Sequence, residues 1–339
     1  MRKDEVLVKK SLPLPLVGPL SYYLPLKDGR PCRAGLKGEL RQIAQAELAI
    51  VRGEFSGMDR FYAAIPKDGR NFLTAAGIAL YGAIGTDDPR LFDTVLKDIA
   101  DFPARYGSPE AKQAVEIVTL WINKLLYVSK QCPEWLVHLD LSSIPAEWRH
   151  QVAYLEVECL ERRGEYTAAS VLADALLNLN PEKAALGSSA EVFLKMAMAR
   201  ICRDEGRMAE SAQWCREVVE SAKTLGIVLP FLGMVIGPKS VLERALAKGA
   251  PELLAKVKKL TNGYFRNLAK YHNRFTGESV TEELTPREFF LAQSLKKGLR
   301  YKEVAERLGV SLNRVHAMAK DVYATLGVRG AAAIGDRVW

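Results

Sequence analysis

Residues 285–327 read TPREFFLAQSLKKGLRYKEVAERLGVSLNRVHAMAKDVYATLG, and the punctuation of this stretch predicts three consecutive helices. Thr285-Pro286-Arg287-Glu288 has the form of a capping box: the threonine hydroxyl meets an amide of the first turn, proline takes an early helical position, and the glutamate reaches back. Gly298 ends this helix. A second helix is expected from Tyr301 to Leu308, with Tyr301, Val304, Ala305 and Leu308 on one face at i, i+3, i+4 and i+7. Gly309 suits a left-handed stop and Ser311 suits an N-cap. The third helix then buries Val315, Ala319, Val322 and Leu326 and stops at Gly327.

Helix, tight glycine turn, helix is the arrangement that presents its second helix to a DNA major groove. Turned away from Val315 by helical geometry are Asn313, Arg314, His316, Ala317, Lys320, Asp321 and Ala324. Arg314 sits in the first turn, where the helix dipole disfavours a cation by about 0.3–1 kcal/mol. That placement suits guanine or phosphate contact better than helix stability. Asn313, Arg314, His316 and Ala317 are therefore candidates for base edges. Lys302 and Lys320 are candidates for phosphates, and Ser311 heads the helix.

Leu284-Thr-Pro-Arg-Glu, Gly298, Lys302 to Ser311, Val315, Val322-Tyr323 and Leu326-Gly327-Val328 resemble the LuxR-type helix-turn-helix, over about 45 residues in register. Ala222 to Gly226, Phe231, Gly237, Leu242 and Tyr264 to Leu268 extend the likeness upstream, where the chain is similar to MalT-type regulators without their ATPase module. The resemblance implies a transcription regulator acting as a homodimer on DNA. Departures are also visible. Phe290 stands where the family has an acid, Arg314 to Met318 replace the usual start of the recognition helix, and Ala324-Thr325 replace a basic pair. The family's base preferences are accordingly not carried over.

Upstream, helix formers with a 3.6-type period run from about Leu36, with no alternating strand pattern. Residues 151–181 read QVAYLEVECLERRGEYTAASVLADALLNLNP, two amphipathic helices meeting at Gly164-Glu165-Tyr166. Gly164, Tyr166, Ala169 and Pro181 fall at the offsets of a tetratricopeptide repeat, which this segment resembles. Similar turns are expected at Gly53-Glu54-Phe55, Gly85 to Pro89, Gln131-Cys132-Pro133 and Gly206-Arg207-Met208. Stacked hairpins of this kind share one continuous core and leave a face for a partner. The expected fold is thus all-α, a tetratricopeptide-like helical-repeat solenoid followed by a small LuxR-type helix-turn-helix domain. Its parts are a Pro-rich irregular lead-in (1–35), the repeat domain (36–272), a polar linker (273–283) and the DNA-binding domain (284–339).

The 339 residues are 48% hydrophobic and 26% charged, as in soluble globular proteins. No apolar run reaches the roughly 18–20 residues needed to cross a bilayer. The longest candidate, Gly226 to Gly237, is split by Pro230 and reads as a buried segment. Met1-Arg-Lys-Asp-Glu and the prolines at 13, 15 and 19 do not form a signal peptide, so a cytoplasmic protein is expected. The five scattered cysteines have no C-x-x-C pair and are expected to be reduced thiols. Lys239 to Trp339 holds 19 Lys+Arg against 10 Asp+Glu, a net of +9, while the rest holds 29 against 30, a net of −1. Such asymmetry points to a polyanion-binding end on a neutral body.

His138, His150, His272 and His316 lack metal spacing, no nucleophile motif stands out, and Gly233 to Ser240 fails as a phosphate loop because Pro238 precedes the lysine. No enzyme, cofactor or metal is expected. The expected function is DNA-binding transcription regulation, with a protein or small-molecule effector on the repeat surface. The alternative is an interaction adaptor whose degenerate helix-turn-helix no longer binds DNA.

Overall fold

The computed structural model describes residues 26–27, 30–31, 37–67, 71–106, 109–128, 133–138, 140–142, 144, 146–179, 189–232 and 240–339. Among them the chain is all-α apart from a two-residue antiparallel ladder, in which Leu26 pairs with Pro31 and Lys27 with Arg30. The rest of the lead-in, Pro181, the Gln131-Cys132 turn and Gly233 to Pro238 lie outside the described residues. No described helix is long and apolar enough to cross a membrane.

Two compact units divide inside one helix, with residues up to Leu125 and Ser129–Ala197 in the first and Leu126–Val128 with Met198–Trp339 in the second. The first unit contains α1 (Gly38–Val51), α2 (Met58–Ala64), α3 (Phe72–Thr86), α4 (Pro89–Tyr106), α5 (Pro109–Leu125), the short α6 (Glu134–Val137), α7 (Ala146–Arg163) and α8 (Tyr166–Leu179). Sequence neighbours pack on one another: α2 on α3, α3 on α4, α4 on α5 and α7 on α8.

Helix α3 is apolar all round, and every residue from Phe72 to Ile84 is buried. A helix without a polar face has to be enclosed by others. Gly85 lies inside α3, while the left-handed stop is at Asp87 (φ 57°). A Cβ on Gly85 would overlap the Phe55 ring, and one on Gly82 would overlap the Met58 side chain. The turn expected over Gly85 to Pro89 falls within that span, at Asp87-Asp88, while Gly85 itself lies in the last turn of the helix and serves close approach. Gly53 (φ 74°) and Gly164 (φ 78°) do occupy left-handed turns. Ala169 is fully buried, on the helix that packs against α7.

Glu47 on α1 is fully buried, and neither carboxylate oxygen has a hydrogen-bond partner among the described residues. Burial pushes its acid well above the ordinary carboxylate range. Cys202 and Cys215 are free, buried thiols, but Cys159 is disulfide-bonded, which corrects the expectation of reduced thiols throughout. Chain spacing says little about which sulfurs helix packing brings together; the distance between Cα atoms decides that.

Helix α9 (Ser189–Asp204) spans the division between the units. The second unit continues with α10 (Met208–Leu225), the short α11 (Leu229–Leu232), α12 (Val241–Gly249), α13 (Pro251–Thr276), α14 (Pro286–Lys296), α15 (Tyr301–Leu308) and α16 (Leu312–Leu326). Gly206 (φ 79°) turns α9 into α10, and Gly226 (φ 67°) ends α10. Phe231, Leu242, Tyr264 and Leu268 are buried. Ser240 caps α12 by accepting the Glu243 amide.

Helix α13 runs to Thr276, four residues into the segment read as a linker. The remaining residues of that segment are tied down. The Asn273 amide group donates to the Val280 carbonyl and accepts the Val280 amide, both at 2.8 Å. The Thr281 amide donates to Arg337 O. His272 is buried, its Nδ1 facing Leu126 O at 2.5 Å and its Nε2 facing Glu278 at 3.0 Å, so it is a satisfied core histidine.

Candidate nucleic-acid interface

The three C-terminal helices form through the local chemistry that the sequence announces. Thr285 and Glu288 complete their capping box reciprocally. Tyr301–Leu308 is one helix, and Gly309 stops it in the left-handed region at φ 64°. Ser311 caps α16 by accepting the Arg314 amide at 3.3 Å, and Gly327 (φ 65°) ends it. One shared core holds the set: Val304, Ala305 and Leu308 from α15, with Val315, Met318, Ala319, Val322 and Leu326 from α16. These meet Phe289, Leu291, Ala292 and Leu295 from α14.

The chain terminus seals this core. Ile334 and Val338 are buried in it, and the Trp339 ring stacks on Tyr127 at 4.9 Å and lies 4.3 Å from Phe289. Backbone carbonyls of Val338 and Trp339 accept from Lys296 and Gln293 of α14. Sequence reading gave no role to this tail. Ile334 and Val338, four residues apart, followed by Trp339 were the available signal.

Burial of one side of α16 leaves the other outward. Asn313, Arg314, His316, Ala317 and Lys320 are exposed, as are Asp321 and Ala324. Lys302 is exposed on α15. Ser311 is also exposed, but its hydroxyl is engaged in the cap, so its work is to start the helix. The His316 ring leans on Tyr301, centroids 4.5 Å apart, which orients it. The Tyr301 hydroxyl lies 3.1 Å from that of Tyr323. Burial, then that hydrogen bond, pushes the Tyr323 phenol up to about 12.

Sequence reading missed Arg287. It stands at the second position of α14, and its Nε and Nη2 are buried without a hydrogen-bond partner among the described residues. Burial first and the nearby Arg314 second pull its guanidinium below the usual arginine range, with Glu243 opposing. Two guanidinium groups thus share the approach to the start of α16. Like charges held together in this way favour any anion that enters between them. Arg287 was hidden in sequence because it lies 27 positions from Arg314. Chemically, the outward face of α16 offers one amide, two cations, a ring and small alanines that permit close approach. Asp321 offers the one opposing charge on that face.

Among the described residues no group of histidine, cysteine and acidic side chains is arranged to hold a metal. Compared with protein-family models, curated proteins and solved structures, the chain finds no match.

Proposed function

We propose that the chain is a cytoplasmic DNA-binding transcription regulator of the LuxR-type helix-turn-helix class. In this reading its tetratricopeptide-like body takes up a protein or small-molecule effector, and it binds DNA as a homodimer. The observation that carries the reading is the division of α16: Val315, Met318, Ala319, Val322 and Leu326 are buried while Asn313, Arg314, His316, Ala317 and Lys320 all face outward. In a major groove, Asn313 and Arg314 would meet base edges, with bidentate arginine worth about 1–3 kcal/mol of discrimination. Lys302, Lys320 and Arg287 would meet phosphates.

Fluorescence polarisation on promoter DNA tests this. Arg314→Ala is expected to relax sequence preference, and Lys320→Ala to weaken all sequences alike and flatten the salt dependence by about one unit of slope. Binding unchanged in both variants overturns the proposal.

A second reading, an interaction adaptor that does not bind DNA, draws on two features of the same face. Leu312 is 44% exposed at its start, and Asp321 would oppose a phosphate backbone. Salt separates the two. A regulator loses DNA affinity steeply as salt rises, because each neutralised phosphate releases counterions. An adaptor captures a protein and shows no such slope on DNA.

A further inference from the structure

The positive charge of the last third is unevenly shared. Residues 278–339, which hold the three C-terminal helices, carry 10 Lys+Arg and 8 Asp+Glu, a net of +2. Residues 240–277, which form α12 and α13, carry 8 Lys+Arg and 2 Asp+Glu, a net of +6. Most of the excess that a polyanion would feel thus lies on the two helices preceding the helix-turn-helix.

The two acids of this segment leave the outward cations unanswered. Glu243 is buried and pairs with Lys258, tying α12 to α13. Glu252 stands in the first turn of α13, where the helix dipole favours an acid. It lies seven residues before Lys259, roughly 10 Å along the axis and beyond the ~8 Å screening length of physiological salt. From Leu253 to Gly277 no further acid occurs. Glu220 of α10, which approaches Gly249, pairs with Lys223. Lys256, Lys270 and Arg274 are engaged in interactions of their own. That leaves Arg244 and Lys248 on α12, and Lys259 and Arg266 on α13, all exposed and without an ion pair among the described residues. Lys248 suits the last turn of its helix, but the other three have no such local role.

The outward face of α13 is also kept low. Lys259, Asn262, Gly263 and Arg266 are all exposed and follow at i, i+3, i+4 and i+7, one stripe of a helix. Gly263 lies mid-helix, where glycine costs about 0.8–1 kcal/mol against alanine. Packing does not require it, because a Cβ there would meet nothing within 4 Å, and its φ is not left-handed. A bare backbone between two cations admits the close approach of a charged strand. The stripe from Lys259 to Arg266 rises about 10 Å, the axial rise of roughly three nucleotides of one DNA strand.

We propose that the outward face of α12 and α13 is a second nucleic-acid surface, holding the sugar-phosphate backbone of duplex DNA beyond the stretch that α16 reads. The inference rests on the reading of the chain as a DNA-binding regulator and divides the work within it. Helix α16 supplies sequence preference, and α12 and α13 supply affinity without preference. Lys259 and Arg266 meet phosphates, and Gly263 lets the strand lie close between them. Contacts of this kind carry no sequence information and release counterions with each phosphate neutralised.

Fluorescence polarisation of the full chain on random-sequence duplex DNA, across a salt series, tests the surface. Lys259→Gln with Arg266→Gln should flatten the slope of log affinity against log salt by about two units. The ratio of promoter to random-sequence affinity should stay unchanged. Arg90→Gln with Lys97→Gln removes two exposed cations at the same spacing on α4, and should leave the slope at the wild-type value. Lys259→Arg with Arg266→Lys keeps both charges and should keep the slope, which separates lost attraction from lost folding. An unchanged slope in the α13 glutamine variant overturns the proposal, as does an equal fall in the α4 variant. So does a glutamine variant that loses binding to phosphatidylserine vesicles and not to DNA, which would assign the face to a membrane. The two readings fail separately. If Arg314→Ala and Lys320→Ala alter DNA binding and the α13 variant does not, the regulator stands without this surface. If only the α13 variant alters it, the surface stands and the reading of α16 fails. A wild-type chain that binds no duplex removes both.

Discussion

Glu47 shows how position decides what a carboxyl contributes. Glu47 is sealed in the first unit without a hydrogen bond among the described residues, and its acid is pushed well upward. A raised acid favours folding where it is protonated, and that contribution is lost as pH climbs from the ordinary glutamate value of about 4.3 through the raised one. Glu47→Gln should therefore leave stability at pH 4 nearly unchanged and raise the denaturation midpoint at pH 8. Chemical denaturation at the two pH values checks this, and a variant less stable at pH 8 would contradict it. Neither the burial nor the missing partner is legible in the sequence, where Glu47 looks like any acid on an amphipathic helix.

At the scale of the element, the C-terminal helices were legible almost residue by residue. Capping boxes, left-handed glycines and i, i+3, i+4 spacing are local, so Thr285, Gly309, Ser311 and Gly327 act where their neighbours in sequence require. The turn expected over Gly85 to Pro89 is present at Asp87-Asp88, but Gly85 itself serves a contact with Phe55, 30 positions away, that no local reading shows. Gly85→Ala would raise helix propensity by about 0.8–1 kcal/mol yet force the Phe55 ring aside, at about 1–3 kcal/mol for overpacking. Packing is expected to win. The variant should unfold about 1 kcal/mol earlier by thermal or chemical denaturation, and a stabilised variant would show that the ring yields freely. The tail ending in Trp339 belongs to this scale too: its stacking on Tyr127 and Phe289 depends on elements that precede it.

For the whole molecule, charge is distributed in a way the sequence states and the fold refines. The positive excess of the last third was countable beforehand. That Arg307 of this excess meets Asp204, and that Arg287 stands beside Arg314, follows only from helix packing. Burial alone would raise the Asp204 acid, but Arg203, then Arg307 and Arg200, outweigh burial and hold it low. Its contribution is therefore complete above the ordinary aspartate value of about 3.9 and is lost as pH falls through the lower, folded value. Wild-type stability should fall on acidification below about pH 4 more steeply than that of Asp204→Asn. Denaturation curves between pH 2.5 and 6 provide the comparison, and parallel curves would remove Asp204 from the account.

The sequence by itself determined the all-α class, the ends of the last three helices and the outward face of α16, because caps, glycine stops and helical period act over a few residues. Tertiary structure alone decided that Arg287 stands beside Arg314, that Arg307 meets Asp204, that Cys159 is bonded and that Gly85 is a contact point. Each of those depends on which surfaces meet across tens of residues, and meeting is set by the packing of whole helices, whose energy no short window of sequence contains.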